Sequence, residues 1–251
     1  MFKKSSALLV YLIFYSQLVV AKEFFFVAHE FPPISFLKDS SAAGGMIDVL
    51  QMACKQLGHK CRVEIHPLAR AFKMAENKEI HGVLSLHKIP ERAINYADSP
   101  EIIKTTLVYM GLKVSGAKPI ASPQELVGRT VLVTRGTATQ KLIQKHAEQI
   151  KDLKVLEDVD SATMISKFIN GKYEANVLIA STEEVLKSIS QKNGIELVTL
   201  YTIAEKPLVI SFVKKKMDEG DIVEFNKVLN KMKKDGSIKK ILTGYNLTPA
   251  E

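Results

Sequence analysis

The sequence predicts an α/β fold with mostly parallel sheets, and three observations support this prediction. Short apolar runs typical of buried strands alternate with segments whose apolar residues recur at helical spacing. Hydrophobic residues make up 46% of the 251 residues and charged residues 25%, an ordinary globular balance. The chain contains no low-complexity stretch and no internal repeat. Its length suffices for one large domain or two small ones.

The first part of the chain supplies strands and helices in alternation. The continuously apolar run FFFVA predicts a buried strand, and the Pro and Gly pairs that follow predict a loop. The predicted elements are, in order, a strand at 24–28, a loop at 29–45, a helix at 47–57, a strand from 61, a helix at 68–75, and strands at 81–85 and 107–112.

The second part continues the alternation. Ser122 followed by Pro123 predicts the start of a short helix, and the spacing of Ser181 and Glu184 predicts a capping box. Ligands of such sheets bind beyond the carboxyl ends of strands, near helix N-termini. The predicted elements are a helix at 122–127, a strand at 130–134, a helix at 137–149, a strand from 155, a helix at 161–170, a strand at 177–180, a helix at 181–192, a strand at 208–213 and a helix at 221–234.

The N-terminus predicts a secretory signal peptide over residues 1–21. Lys3 and Lys4 precede an apolar run at 7–15, and small or medium residues end at Ala21, where we expect cleavage. The alternative is a membrane anchor, but the run is shorter than the roughly 20 residues that span a bilayer. Because Lys22 stands where a lipid-modified Cys would follow, we expect a soluble periplasmic product.

Cys54 and Cys61 are the only cysteines, and export into an oxidising compartment predicts a disulfide between them. Gly58 is a suitable helix end between them, so the bond would join a helix to the next strand. The alternatives are two buried thiols or part of a metal site. No CxxC motif is present and His59 is the lone nearby histidine, so we expect no metal.

The formal net charge of +8 does not indicate a nucleic-acid partner. The lysines are densest near the C-terminus without interleaved aromatic residues, which is typical of a solvated helix face. The sequence also has no HExxH, GxSxG or Walker motif, so it predicts no cofactor and no enzyme of those classes.

Six short motifs occur in a familiar order. They are FPPI at 31–34, GMIDVL at 45–50, HGV at 81–83 with IPER at 89–92, GT at 136–137, GKYEA at 171–175 and KDGS at 234–237. In these motifs the chain resembles the family 3 extracellular solute-binding proteins, the receptors of polar amino acid ABC transporters, over residues 22–251. The spacing of Cys54 and Cys61 also equals that of the disulfide in the lysine/arginine/ornithine- and histidine-binding members.

The resemblance implies the two-lobed type 2 periplasmic binding protein fold, with two crossover hinge strands. Lobe 1 would comprise residues 22–109 and 208–251, and lobe 2 residues 110–207. A small-molecule ligand would sit between the lobes and be trapped by hinge closure. We expect a monomer that docks on an inner-membrane ABC permease, or alternatively on a membrane sensor protein.

Arg92 ends the IPER motif, and the resemblance implies that it binds the ligand's α-carboxylate through a two-pronged, charge-assisted contact. The alternative is a surface arginine that caps a loop or pairs with Glu91. Ser85 and His87 lie where family members place small polar ligand contacts. His87 is larger than the usual Ser or Thr, and it could equally face water.

Thr137 follows Gly136 at a predicted helix N-terminus, where free N–H groups and the Thr hydroxyl would attract a carboxylate. A simple N-cap is the alternative, and both roles are compatible. Ala138 replaces the second Thr or Ser that the family often has at the next position.

Phe31 and Leu68 occupy positions that line the ligand's side chain in the family, although both also suit a plain core. Glu30 and Arg70 flank them, and each would either contact the ligand's side chain or face solvent.

One departure concerns the Asp that binds the α-ammonium in typical members, whose position falls on Ile179 or Ala180. A buried ammonium needs a carboxylate, for which Glu183 or Glu30 are the candidate substitutes. Otherwise the ligand lacks an α-ammonium or uses another anchor.

The expected function is therefore periplasmic capture of a small carboxylate-bearing solute, an amino acid or derivative, for an ABC transporter. The alternatives are a ligand-sensing receptor and a periplasmic dehydratase or lyase on the same fold. For the enzyme, acid–base chemistry would have to come from Glu30 or Glu183 with His87.

Overall fold

The computed structural model describes residues 21–174 and 176–251. The predicted signal segment up to residue 20 lies outside the described residues. Within them, no helix combines the length and the apolar character needed to cross a membrane. The α-helices of the described residues are α1 (Gly45–Leu57), α2 (Leu68–Glu76), α3 (Ala138–Gln149), α4 (Ser161–Ile169), α5 (Glu183–Lys192), α6 (Glu219–Lys234) and α7 (Ser237–Thr243).

The strands form two large sheets and one hairpin. The hairpin pairs β2 (Phe36–Lys38) with β3 (Ser41–Ala43). The first sheet contains β1 (Glu23–Ala28), β4 (Lys60–Ile65), β5 (Gly82–His87), β6 (Tyr96–Asp98), β7 (Ile103–Lys104), β13 (Leu208–Val213) and β14 (Thr248–Pro249). The second sheet contains β8 (Thr106–Leu112), β9 (Thr130–Thr134), β10 (Lys154–Asp158), β11 (Val177–Thr182) and β12 (Leu197–Glu205).

Both sheets are mixed, which corrects the expectation that they are mostly parallel. In the first sheet β4, β1 and β5 are parallel, and in the second β10, β9 and β11 are parallel. The pairs that involve β13, β8 and β12 are antiparallel. Each of these strands lies directly before or after a crossing between the sheets, so it runs in the direction opposite to the neighbouring strand of its sheet.

The chain crosses between the sheets twice, and the two crossings are bonded to each other. Thr105 joins β7 to β8, and Lys206 with Pro207 joins β12 to β13. The Lys206 amide donates to the Thr105 carbonyl at 2.9 Å, and the Thr105 hydroxyl donates to the Lys206 carbonyl. This pair of crossings matches the expected two-lobed architecture.

We call residues 22–104 and 208–251, which carry the first sheet, the first lobe, and residues 106–205 the second lobe. The boundary expected after residue 109 falls inside β8, which belongs wholly to the second sheet. The division into lobes at the stated residues otherwise stays a prediction.

A disulfide joins Cys54 near the end of α1 to Cys61 in β4, as the sequence predicts. Gly58 ends α1 with a left-handed φ of 72°, a conformation that costs glycine little because it has no Cβ. The core above this sheet includes a cluster of aromatic rings that pack edge to face or tilted. Its members are Phe24, Phe26, Phe212 and Phe225.

One local prediction was wrong and one strand was missed. The short helix expected at 122–127 forms as the 3-10 helix Pro123–Leu126, with Ser122 as its N-cap and Pro123 in its first turn, as the sequence predicts. β11 extends through Thr182, so α5 begins at Glu183 and the capping box from Ser181 does not form. Glu184 instead accepts a hydrogen bond from the Thr106 amide at 3.3 Å. Half-buried β12 was not predicted because its apolar residues do not alternate cleanly.

Candidate functional site

A cleft between the lobes brings together residues from both parts of the chain. It lies beyond the carboxyl ends of parallel strands and at the N-termini of α3 and α4, where ligands of α/β sheets bind. The first lobe contributes His29, Phe31, Leu68, Ser85, Leu86, His87 and Arg92. The second lobe contributes Thr134, Thr137, Ala138, Thr139, Ser161, Ala180 and Ser181.

The lobes are closed on each other in this arrangement. The enclosed space of the cleft is about 20 Å³, which is room for roughly one water molecule. Two contacts cross between the lobes beside it: Arg92 reaches the Gly136 carbonyl, and Lys141 lies 3.8 Å from the Glu91 carboxylate. A ligand of amino-acid size therefore needs the lobes to separate before it enters.

Arg92 lies in the 3-10 helix Pro90–Ile94 that follows β5. Its Nη1 donates to the His87 carbonyl and its Nη2 to the Gly136 carbonyl, each at 3.1 Å, and the guanidinium lies 4.9 Å from the Phe72 ring centre. Arg92 therefore bonds to loop carbonyls and also lines the cleft. Among the described residues it forms no ion pair, and Glu91 lies within ion-pair distance of Lys141 instead. Three of its five N–H donors are left over for a ligand.

His29 and His87 are buried in the cleft wall, with 6% and 7% of their surface exposed. Neither ring nitrogen of His87 has a hydrogen-bond partner, nor does Nδ1 of His29, whose ring lies 4.8 Å from that of Phe31. Burial, with smaller repulsive contributions from the neighbouring His87 and Arg92, lowers the pKa of His29 to about 4. Burial also lowers the pKa of His87 to about 4. The nearby backbone of Pro207 and Lys206 opposes this shift, and the charges of Lys206 and Arg92 add to it. Both rings are therefore neutral near pH 7, and a water-facing His87 is ruled out.

Buried hydroxyl pairs occur on both walls. The Ser85 and Ser35 hydroxyls lie 3.1 Å apart in the first lobe, and those of Thr134 and Ser161 lie 2.9 Å apart in the second. Ser85 has a φ of 62°, strained for a residue with a side chain, at an irregular point in the pairing of β5 with β13. Such strain persists where the surrounding structure holds a side chain in a particular direction.

Thr137 is the N-cap of α3, as the sequence predicts. Its hydroxyl accepts a hydrogen bond from the Gln140 amide at 3.1 Å and donates to the Thr134 carbonyl at 2.7 Å. Gly136, with a φ of 77°, makes the turn before it. Ala138 and Thr139 line the same cleft, and their N–H groups, the first of α3, lack partners within the helix.

The remaining predicted residues separate into cleft and non-cleft positions. Phe31 and Leu68 are buried and line the cleft. Glu30 instead lies in an adjoining, mostly apolar cavity of about 210 Å³, where its carboxylate accepts a hydrogen bond from the Leu37 amide at 3.1 Å. Burial raises the pKa of Glu30 above its ordinary value. Arg70 is exposed on α2 and does not line the cleft, which favours the solvated alternative.

The strand that carries an acid in typical family members has none here. Ala180 faces the cleft and Ile179 lies in the core. Glu183 does not replace the acid, because its carboxylate accepts hydrogen bonds from the Thr199 hydroxyl and the Lys187 ammonium, both at 2.9 Å. Of the cleft-lining residues described, none carries a carboxylate.

Sequence reasoning missed several members of the cleft. His29 was the largest omission, and the signal that could have found it is its position directly after the predicted strand β1. Thr134 and Ser161 were also missed, although one ends a predicted strand and the other begins a predicted helix. Like Thr137, each of these positions lies at the carboxyl end of a strand or the N-terminus of a helix, where ligands of α/β sheets bind.

Solved structures with the same architecture cover most of the chain. An ancestral arginine-binding protein bound to arginine matches with a TM-score of 0.77 and 20% identity, covering 89% of this chain and 97% of that one. The substrate-binding protein of an amino acid ABC transporter matches at 0.75 and 17%, covering 89% and 98%. A histidine kinase sensor domain similar to periplasmic binding proteins matches at 0.77 and 15%, covering 90% and 98%. At these identities the likeness shows the fold.

Family membership comes from the sequence itself. No curated protein matches the chain. The sequence profile of the bacterial extracellular solute-binding proteins, family 3, matches residues 25–248, which is nearly all of the part described by the structure. The chain therefore belongs to the bacterial extracellular solute-binding proteins of family 3.

Proposed function

We propose that this protein is a monomeric periplasmic receptor that captures a small carboxylate-bearing solute between its lobes and delivers it to an inner-membrane ABC permease. Signal cleavage after Ala21 would release it. The observation that supports the proposal best is the cleft, where Arg92 meets the N-terminus of α3 without any acidic partner. A guanidinium and a helix N-terminus both stabilise a carboxylate.

Closure of the lobes is the proposed means of capture. Arg92 and Glu91 already contact the second lobe through Gly136 and Lys141. A ligand carboxylate that joins Arg92 to α3 would favour the closed over the open arrangement by its differential affinity for the two. The bonded crossings at Thr105 and Lys206 form a compact hinge for that movement.

A solute screen tests the proposal. The purified protein is heated with amino acids, 2-oxo acids, 2-hydroxy acids, polyamines and small peptides, and hits are measured by calorimetry. We expect a carboxylated solute to raise Tm, since a ligand at about 100 times its Kd adds about 2.7 kcal/mol. The solute should bind one to one and be recovered unchanged. Chemical conversion of the solute would support an enzyme instead.

Matched arginine variants show where the solute binds. Arg92→Lys keeps the charge but loses the two-pronged geometry, so it should weaken binding, whereas Arg70→Lys on exposed α2 should not. Equal effects of both variants would contradict a cleft site.

The docking partner needs a cellular test because the same fold occurs in a substrate-binding protein and in a histidine kinase sensor domain. We expect cells that lack this protein to lose high-affinity uptake of the labelled solute. Normal uptake together with loss of a solute-dependent transcriptional response would favour the sensor alternative.

A further inference from the structure

Two buried neutral histidines face a cleft that has no acidic side chain on its described walls. His29 and His87 are each more than nine-tenths buried, and three of their four ring nitrogens have no hydrogen-bond partner. A buried polar atom without a partner is destabilising, so these nitrogens favour a ligand that bonds to them.

The charged side chain that lines the cleft is positive. Arg92 lines it directly, and Lys206 lies close enough to lower the pKa of His87. The N-terminus of α3, which is capped by the neutral Thr137, adds positive partial charge from the second lobe. An α-ammonium buried here would meet positive charge on both walls, which is unfavourable in a desolvated site.

Three acids close to the ends of the cleft-forming elements have other partners. Glu30 accepts from the Leu37 amide in the adjoining cavity, Asp160 caps α4 by accepting from the Thr163 amide at 2.7 Å, and Glu183 is paired with Lys187. None of the three lines the cleft, so within the described chain no acid is placed to receive an ammonium group there.

We propose that the solute captured by the proposed receptor is an organic acid without an α-ammonium, a 2-oxo or 2-hydroxy acid, whose second oxygen bonds to His29 and His87. Arg92 and the start of α3 hold the carboxylate. A neutral imidazole donates from one nitrogen and accepts at the other, so the pair suits either a carbonyl or a hydroxyl oxygen. An ammonium offers only donors and carries the wrong charge for this site.

Calorimetry with sets of solutes that share a carbon skeleton tests the proposal on the wild-type protein. Suitable sets are L-alanine, pyruvate and L-lactate; L-glutamate, 2-oxoglutarate and 2-hydroxyglutarate; and L-phenylalanine, phenylpyruvate and phenyllactate. We expect the oxo or hydroxy acid to bind at least about tenfold tighter than the amino acid of the same set, consistent with a lost or gained buried hydrogen bond.

The outcomes separate this inference from the proposed function. An amino acid that binds as tightly as its oxo and hydroxy analogues overturns the inference and leaves the receptor intact. Failure of every carboxylate at millimolar concentration, with binding of a polyamine or neutral solute, overturns both.

Histidine variants provide a second readout. His29→Asn and His87→Asn should each weaken binding of the preferred acid by about tenfold. His59→Asn is the matched control, because His59 lies between α1 and β4, outside the cleft. Unchanged affinity in both cleft variants, with melting curves that confirm folding, contradicts the assigned contacts.

Discussion

The two walls of the cleft are built alike but differ in chemistry. Each wall is formed at the carboxyl ends of a three-stranded parallel core, and each carries a buried pair of hydroxyls. The first lobe adds every titratable side chain of the described cleft, namely His29, His87 and Arg92. The second lobe adds only neutral side chains and the starts of two helices.

This difference assigns separate tasks to the lobes. A guanidinium attracts a carboxylate at a distance, whereas the field of a helix terminus falls off within its first turn. We therefore expect a solute to engage Arg92 in the open form and to gain contacts at Thr137 and Ala138 on closure. We therefore expect the first lobe to select solutes by their charge, and contacts with the second lobe to favour the closed arrangement.

The largest effect is expected when the charged wall loses Arg92. Arg92→Ala should weaken binding of the preferred acid by about 100-fold, or about 2.7 kcal/mol, because a charge-assisted contact is lost. Calorimetry measures the affinity, and the melting temperature without solute reports the separate loss of the bonds to His87 and Gly136. A change in Kd below about threefold would show that the first lobe does not dominate recognition.

An acid placed on the neutral wall should change which solutes bind. Ala180→Asp puts a carboxylate on β11 facing the cleft, where it can receive an ammonium group. We expect the ratio of affinities to shift by about tenfold toward the amino acid over its 2-oxo analogue. Ser188→Asp, on α5 outside the cleft, is the control. An unchanged ratio in a folded variant would show that the missing cleft carboxylate does not decide between the amino acid and its 2-oxo analogue.

The histidines of the first lobe should make the free protein sensitive to acid. Their pKa values of about 4 lie below the ordinary 6.5, so the unfolded chain binds more protons between these values. Stability is fully present above about pH 6.5 and is lost as pH falls toward 4, by up to about 3 kcal/mol for each histidine. The charged or titratable groups that face them are Arg92, Lys206, Glu30, Asp160 and His66.

Melting curves from pH 7 to pH 4 measure this loss. His29→Asn and His87→Asn should each flatten the dependence, because asparagine does not titrate. Glu30, whose pKa is raised, contributes in the opposite direction, so Glu30→Gln should steepen it. A slope that is the same in all variants would place the acid sensitivity outside the cleft.

The smallest effect is expected on the neutral wall. Thr137→Val removes the N-cap of α3, which should cost about 1 kcal/mol of stability. Binding of the solute should weaken only about threefold. Thr137→Ser keeps the hydroxyl and should restore both values. If Thr137→Val weakens binding as much as Arg92→Ala, the division of tasks between the lobes is wrong.

Much of the fold follows from the sequence because its signals are local. The apolar run in β1, the helical spacing of α1 and the Gly58 terminator act within a few residues. The disulfide is also local, since Cys54 and Cys61 flank a single turn. Six motifs in order then indicate the family, and with it the two-lobed architecture.

Only the tertiary structure decided which of these residues meet. His29, Thr134 and Ser161 are far apart in the chain and converge because parallel strands end at one edge of each sheet. Glu30 and Arg70 carry suitable charges but occupy an adjoining cavity and an exposed helix face. Periodicity encodes each element and its buried face, whereas the chemistry of a cleft depends on how two lobes pack around one hinge.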